Sequence, residues 1–455
     1  MQPMQLQPQP RTAHVEMSGN VISLPVPQRR RRERGGRTVA VVGAGITGVT
    51  TAYALMERGF DVTIIDRQRT AAMETSFANG GQLSASNAEV WTHPGTILKG
   101  MRWLLRRDAP LLVRPAPTWH KLSWMAEFVS NCPNYERNTI ETARLAVASR
   151  EHMERIARDE GIDYDRVERG ILHVYRNKAG FDHATRVNAM YAKGGLERRA
   201  VTNAEMVEIE PALAASGAFH GGYYTPSDAT GDIHKFTRGL LEASMRRGLR
   251  FVDRASVTRM RKVDGGVKVA FDRLGGRGEL CFDAAVVCAG VGSRALARQL
   301  GDRINIYPVK GYSITVPLDR ASQDAAPWVS LLDDDAKIVA SRLGADRYRV
   351  AGTAEFAGFN RDIRADRVKP LVGWTEQLFP GIDTAGTIPW AGLRPMTPSM
   401  MPRVGAGRAP GVFYNTGHGH LGWTLSAITA EMVADQVATE HGGALPRESW
   451  MKAAE

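Results

Sequence analysis

Three glycines and a carboxylate carry the clearest chemistry in this 455-residue chain. Gly43, Gly45 and Gly48 have the spacing of a phosphate cradle, and Asp66 follows 23 residues after Gly43. In such a cradle the first glycine permits a tight turn and the second lets backbone approach a pyrophosphate. The third lets the following helix pack on its sheet. Val42, Ile46 and Thr47 complete the turn, where the unpaired N–H groups of a helix N-terminus favour phosphate. Asp66, with Arg67 beside it, is placed to accept hydrogen bonds from ribose hydroxyls. A second polar group, Glu74-Thr75-Ser76 through Asn79, Gly81, Gln82, Leu83 and Ser84, suits close backbone approach and hydrogen bonding to a ligand. Further along, Arg394 lies in Gly392-Leu393-Arg394-Pro395, and His418 lies between Gly417 and Gly419, ahead of Leu421 and Gly422. A guanidinium can clamp a carboxylate bidentately or pair with the protein's own acids and carbonyls, and a histidine can bind a ligand or serve the core.

The elements that must position these groups follow from hydrophobic periodicity. Thr38–Val42 reads as a strand, the segment with Val49, Ala52, Leu55 and Met56 as a helix closing at Gly59, and Val62–Ile65 as a second strand. Strand, glycine turn, helix, strand and acid together make a dinucleotide-binding unit rather than a chance glycine pattern. Ala284–Val287 is an apolar strand ending in Cys288-Ala289-Gly290, predicted to be buried in the same sheet and to pass close to the cofactor, as is Val257. Helices are expected over about 138–161, 178–194, 233–247 with Asp232 as N-cap, 365–378 and 424–440. A strand over 251–257 and two more, separated by glycine turns at 265–266 and 275–278, give a meander. From Tyr307 the pattern alternates through Tyr312–Val316, 337–341 and Tyr348–Gly352, which predicts an antiparallel sheet in a second domain. Lys310 and Tyr312, at the start of that sheet, either face a substrate or pack within it.

Composition excludes several classes. Hydrophobic residues make up 43% and charged residues 24%, as in an ordinary globular protein. No apolar run reaches the ~20 residues that span a bilayer. Three cysteines, Cys132, Cys281 and Cys288, show neither a disulfide framework nor metal-ligand spacing, so no metal is expected and the location is expected to be cytoplasmic. Of the net charge of +11, the arginine-rich segment 1–37 carries +5. Residues 1–36 are therefore expected to be a disordered basic tail rather than a nucleic-acid surface. The stretch 97–107 places Ile97, Leu98, Met101, Leu104 and Leu105 on one helical face with Lys99, Arg102, Arg106 and Arg107 elsewhere. This pattern suits packing on its own domain or peripheral contact with an anionic membrane.

These features resemble the FAD-dependent amine and amino-acid oxidoreductases. Glu74-Thr75-Ser76, Tyr307-Pro308-Val309-Lys310-Gly311-Tyr312-Ser313, Gly392-Leu393-Arg394-Pro395-Met396-Thr397-Pro398 and Asn415-Thr416-Gly417-His418-Gly419 are similar to bacterial D-amino-acid dehydrogenases (small subunit) over about residues 37–440. The resemblance implies an α/β fold, D-amino-acid oxidase-like. A Rossmann-like FAD-binding domain (37–90, 200–306 and 390–445) would join a second α+β substrate domain on an antiparallel sheet (91–199 and 307–389). It also implies FAD and oxidative deamination of free D-amino acids to 2-oxo acids and ammonia. With no cysteine beyond Cys288 and no histidine between Asp66 and His93, the flavin is expected to be noncovalent. A hydride would pass from Cα to flavin N5, electrons would go to a quinone-type acceptor, and the enzyme could sit peripherally on the inner face of the cytoplasmic membrane. Arg394 would then clamp the substrate carboxylate, with His418, Tyr312 and Lys310 as further catalytic candidates. The loop at Glu74–Ser84 would lie over the diphosphate and flavin ring. Oxidation of glycine, sarcosine, proline or hydroxyproline on the same scaffold is the alternative. Two departures stand out: Pro398-Ser399-Met400-Met401-Pro402 replaces the usual Asp-Gly turn, with easy access to positive φ expected to be lost, and His420 replaces a small hydroxylated residue.

Overall fold

The computed structural model describes residues 36–103, 110–114, 117–217 and 219–445. The basic tail up to residue 35 and Leu104, Leu105, Arg106 and Arg107 of the amphipathic segment lie outside the described residues.

The dinucleotide unit forms as its periodicity predicts: β1 (Thr38–Val42), α1 (Ile46–Glu57) and β2 (Asp61–Ile65). β1 pairs in parallel with β2 and with the strand Ala284–Val287, the geometry that a crossover helix produces. Strand Val412–Thr416 adds in parallel beside Ala284–Val287, Arg403–Ala406 closes that edge antiparallel, and Arg250–Val252 closes the other. Val39, Ala40 and Val41 have no solvent exposure, which is why this central strand is apolar without alternation. Helix Gly422–His441 packs against α1 and is buried on nearly every side.

The strand expected over 251–257 divides. Arg250–Val252 belongs to the parallel sheet, Arg254 turns the chain with φ 51°, and Ala255–Val263 opens the three-stranded meander. The reason is local: Asp66 N–H donates to Val252 O and Ala255 N–H donates to Asp66 O, so the chain crosses over the end of β2. Beyond that crossing Val257, like Asp66, lines the cavity.

A nine-stranded sheet forms the other half of the molecule, running Ile388–Met396, Tyr307–Pro317, Arg347–Phe356, Ile338–Leu343, Ser330–Asp333, Ile171–Tyr175, Gly221–Thr225 and Arg199–Val201, with Leu111–Val113 on the end of Arg347–Phe356. It is mostly antiparallel with two parallel pairs, Ser330–Asp333 with Ile171–Tyr175 and Leu111–Val113 with Arg347–Phe356. Two strands from stretches assigned to the nucleotide-binding part, Gly221–Thr225 and Ile388–Met396, pair into this sheet. One face of the sheet packs on helix Ala365–Leu378 through Ile314, Val316, Leu371, Trp374 and Leu378. The other face meets the dinucleotide unit, and the cavity lies between them.

Candidate active site

A continuous cavity of about 1040 Å³ runs from Asp66 to Arg394. Small-ligand pockets reach ~1,000 Å³ at the upper end, so this one has room for a dinucleotide and a small second ligand. At one end the glycine turn is set by close contacts. Gly43 has φ 109°, and a Cβ there would lie 2.6 Å from Cys288 O. A Cβ on Gly48 would lie 1.9 Å from Gly43 O, so this glycine lets α1 press onto the turn. Gly45 is open toward the cavity, with Ser76 Oγ the nearest atom to its would-be Cβ at 3.6 Å. A cradle in which side chains are excluded at two glycines and space is kept at a third fits a dinucleotide diphosphate.

Asp66 accepts from Ala44 N–H at 2.6 Å and from Gln68 N–H at 2.7 Å. Burial pushes its carboxyl up and outweighs these two donors. Arg67 and Gln68 both donate to Glu74, which Arg361 also holds at 2.5 Å, so the mouth is tied by an ion cluster. Ser76 Oγ accepts from Ile46 N–H at the start of α1 (3.1 Å), and Thr75 donates to Leu393 O (2.8 Å). That second bond ties the polar loop to the strand bearing Arg394.

Most sequence-predicted cofactor residues border this cavity: Val42, Gly43, Gly45, Ile46, Thr47, Asp66, Arg67, Thr75, Ser76, Asn79, Gln82, Val257, Ala289, Gly290, Gly392, Gly417, His418, Gly419, Leu421 and Gly422. Gly48, Gly81 and Leu83 stand behind the wall instead. Gly81 takes φ 74° with its N–H on Asn79 Oδ1, and Leu83 pairs with Ala229 while packing on the core. These three shape the wall through backbone conformation and packing.

Arg394 reaches across the sheet. It sits on Ile388–Met396, its guanidinium lies over Gly311 of the neighbouring strand, and Nη1 donates to Thr353 O of the third strand at 2.8 Å. A Cβ on Gly311 would fall 2.4 Å from Arg394 Cζ, so glycine is needed there. Among the described residues Arg394 makes no ion pair, and burial pulls its guanidinium down to about 10. It remains charged at neutral pH.

For Lys310 and Tyr312, facing a substrate and packing within the sheet were both open, and the contacts they make are within the sheet. Gly311 faces Arg394, so strand alternation turns its two neighbours to the opposite face. There Lys310 Nζ meets Glu355 Oε2 at 3.1 Å, and the Tyr312 hydroxyl donates to the same oxygen at 2.6 Å. Arg114 takes the other carboxylate oxygen at 2.8 Å. Tyr312 borders the cavity, but its hydroxyl serves this buried network; Lys310 does not border the cavity.

The C-terminal return docks on the Arg394 strand through Gly419 N–H to Pro395 O (3.0 Å) and a bridge between Met396 and His418. His418 bonds Thr429 Oγ1 at 3.0 Å, and burial pushes its imidazole down to about 3. His420 donates from Nε2 to Asn87 O (3.2 Å) and stacks on Trp91 with ring centres 5.0 Å apart. Burial, then the nearby Arg394 charge, pushes it down to about 4, so it stays neutral and gives no pH response above about pH 5. The Ser399–Met401 turn also differs from expectation. Met400 takes φ 65° without glycine, and its buried side chain packs with Val90, Trp124 and Tyr307, which offsets the strain.

Sequence reasoning missed Glu89 and His183, which border the same cavity. Glu89 Oε1 accepts from Tyr135 at 2.6 Å and from His183 Nε2 at 2.8 Å. Burial pushes Glu89 up, but His183 and Tyr135 outweigh it and keep the carboxyl below its usual range. No motif or spacing links these three residues in the chain; only their packing does.

Two buried histidines make an acid-stability prediction. His173, on Ser86 Oγ at 2.8 Å, and His418 are both held down to about 3 by burial. Unfolded imidazoles titrate near ~6.5, so unfolding takes up protons between those values. Stability should be full above about pH 6.5 and fall toward pH 3, by about 1.4 kcal/mol per pH unit for each histidine. Urea midpoints measured from pH 8 to 5 should show the decline, with a smaller slope in His418→Gln. A flat midpoint below pH 6.5 would contradict it.

Comparisons with known proteins agree with this geometry. Residues 38–436 match the DAO family, FAD dependent oxidoreductase. The chain is 63% identical over 404 residues to D-amino acid dehydrogenase 3 of Mesorhizobium japonicum, covering 88% of this chain and 97% of that one. It is 44% identical to the D-amino acid dehydrogenase of Paramagnetospirillum magneticum, over 88% and 94% of the two chains. Its fold superposes on glycine oxidase from Geobacillus kaustophilus with a TM-score of 0.69 at 22% identity, covering 90% and 99%. With its cradle, its FAD-sized cavity and these relatives, the chain belongs to the DAO family of FAD-dependent oxidoreductases.

Proposed function

We propose that this enzyme deaminates free D-amino acids oxidatively to 2-oxo acids and ammonia and passes the electrons to a quinone-type acceptor. The observation that carries this reading is Arg394: a half-buried guanidinium with no acidic partner among the described residues, lining the cavity that holds the dinucleotide cradle. A desolvated cation with no acidic partner at a cavity wall is suited to a ligand's negative charge, and an amino acid's carboxylate can meet it bidentately. The names of its relatives, D-amino acid dehydrogenases, support the substrate class.

Bound FAD supplies the two-electron acceptor for the α-hydrogen. Gly43, Gly45 and the N-terminus of α1 would hold its diphosphate, Asp66 its ribose, and the loops at Glu74–Gln82 and Gly417–Gly422 its ring system. Arg394 fixes the substrate carboxylate and thereby the direction of Cα. His418 and His420, both neutral, orient by hydrogen bonding and stacking rather than by charge. A substrate amine arriving neutral needs no strong base from the chain. FAD is held without a covalent link. Cys288 at the cavity is pushed up to about 12 by burial, so no thiolate forms there at neutral pH. Acid precipitation should leave the yellow cofactor in the supernatant; flavin in the pellet would refute this.

A quinone acceptor implies peripheral membrane contact. Among the described residues no helix is long and apolar enough to cross a membrane. Helix Trp119–Ser130 exposes Trp119, Leu122 and Val129 along one side, a surface suited to such contact. Steady-state assays with D- and L-alanine, L-proline and sarcosine, using a quinone analogue or oxygen, test the whole reading. D-alanine turnover coupled to the quinone analogue is expected; preference for L-proline or sarcosine, or for oxygen, would overturn it.

A further inference from the structure

A β-branched residue in left-handed backbone marks an unusual point in the sheet beneath Arg394. Thr353 has φ 59°, a conformation that glycine normally supplies. Pairing between the strands Tyr307–Pro317 and Arg347–Phe356 runs Lys310 to Glu355 and then Tyr312 to Gly352. Thr353 and Ala354 therefore oppose the single residue Gly311, which defines a β-bulge. Bulges next to active sites re-aim groups that a regular ladder would consume. Here the Thr353 carbonyl leaves the ladder and accepts Arg394 Nη1 at 2.8 Å. Among the described residues Thr353 Oγ1 is buried without a hydrogen-bond partner, at the edge of the cavity. Two local costs, strained φ and an unsatisfied hydroxyl, thus coincide at the residue that holds the guanidinium.

We propose that Thr353 is a positioning residue, whose bulge turns its carbonyl toward Arg394 and fixes the guanidinium edge offered to the substrate carboxylate. This rests on Arg394 being the carboxylate clamp. Gly311 gives the guanidinium its floor, since a Cβ there would lie 2.4 Å from Cζ, and the bulge gives it a lateral anchor. With Nη1 anchored, the remaining N–H groups keep one direction and less freedom is lost on binding. The strain at Thr353 is tolerated because the strand is pinned on both sides of the bulge: Gly352 pairs with Tyr312, and Glu355 binds Lys310, Tyr312 and Arg114.

Register makes the proposal testable. Deleting Thr353 closes the bulge while leaving Gly352 opposite Tyr312 and Glu355 opposite Lys310. In the full-length holoenzyme this deletion should raise KM for the amino acid about tenfold or more, with kcat changed less than about threefold. The Kd of propanoate, read from the flavin absorbance, should rise by a similar factor. Thr353→Gly keeps the bulge and its carbonyl and removes both costs, so its Tm should rise, and its KM and propanoate Kd should lie well below those of the deletion. Unchanged KM in the folded deletion would overturn the proposal. So would a lower Tm or an about tenfold higher KM in Thr353→Gly, the variant that decides the matter if the deletion does not fold. Arg394→Met separates the two readings: if it abolishes propanoate binding while both Thr353 variants bind normally, the clamp stands and Thr353 does not position it. If Arg394→Met binds propanoate normally, the clamp reading itself fails.

Discussion

Arg394→Met is expected to lower kcat/KM about a thousandfold while leaving Tm unchanged or higher. The guanidinium makes one bond to the protein, to Thr353 O, and pairs with no acid among the described residues. Two charge-assisted bonds to a substrate carboxylate contribute about 3–6 kcal/mol, or roughly two to four orders of magnitude. Methionine has similar reach, fills the space over Gly311 and removes a half-buried charge whose partial desolvation opposes folding. Opposite signs for activity and stability distinguish a ligand-binding arginine from a structural one, whose removal would lower both. Steady-state kinetics and a thermal melt on the flavin-loaded variant check this. A loss of less than tenfold in kcat/KM would place the carboxylate elsewhere.

Gly48→Ala should abolish flavin binding through the fold, whereas Gly45→Ala should weaken it with the fold intact. A methyl at position 48 would lie 1.9 Å from Gly43 O and 2.9 Å from Gly43 C, both backbone atoms of the turn. Neither can yield by a rotamer change, so α1 must lift off the sheet at a cost of about 3 kcal/mol. A methyl at position 45 meets no atom nearer than Ser76 Oγ at 3.6 Å, yet it occupies the side from which a diphosphate approaches. Flavin content after purification and Tm, measured on both variants, separate the cases. Equal Tm losses would show that both glycines serve packing alone.

How far the site was legible in the sequence depends on the range of the contact concerned. The cradle, Asp66 and the polar loop were readable because each function there is set within a few residues: a turn needs glycine, and a strand end delivers an acid. Arg394 and His418 were readable as residues but not as neighbours. A bridge between Met396 and His418 and the bond from Gly419 N–H to Pro395 O bring their loops together. For Lys310 and Tyr312 the sequence left a substrate-facing and a packing role both open; strand alternation about Gly311 turns both toward Glu355, although Tyr312 still borders the cavity. The side of the sheet that meets the cavity is a property of packing, and no local pattern states it. Met400 shows the converse. The absence of glycine removed easy access to positive φ, but burial among Val90, Trp124 and Tyr307 sustains φ 65° in a methionine.

By itself the sequence determined the dinucleotide cradle, the α/β class and the residue types available for chemistry. Backbone conformational freedom and hydrophobic periodicity are local and survive any tertiary arrangement. Tertiary structure alone decided that Arg394 spans three strands, that Gly311 makes room for it, and that Glu89 meets His183 in the same cavity. It also decided that a threonine bears the bulge conformation expected of glycine. Each of these arises where strands distant in the chain are paired in register, and pairing energy depends on both partners at once.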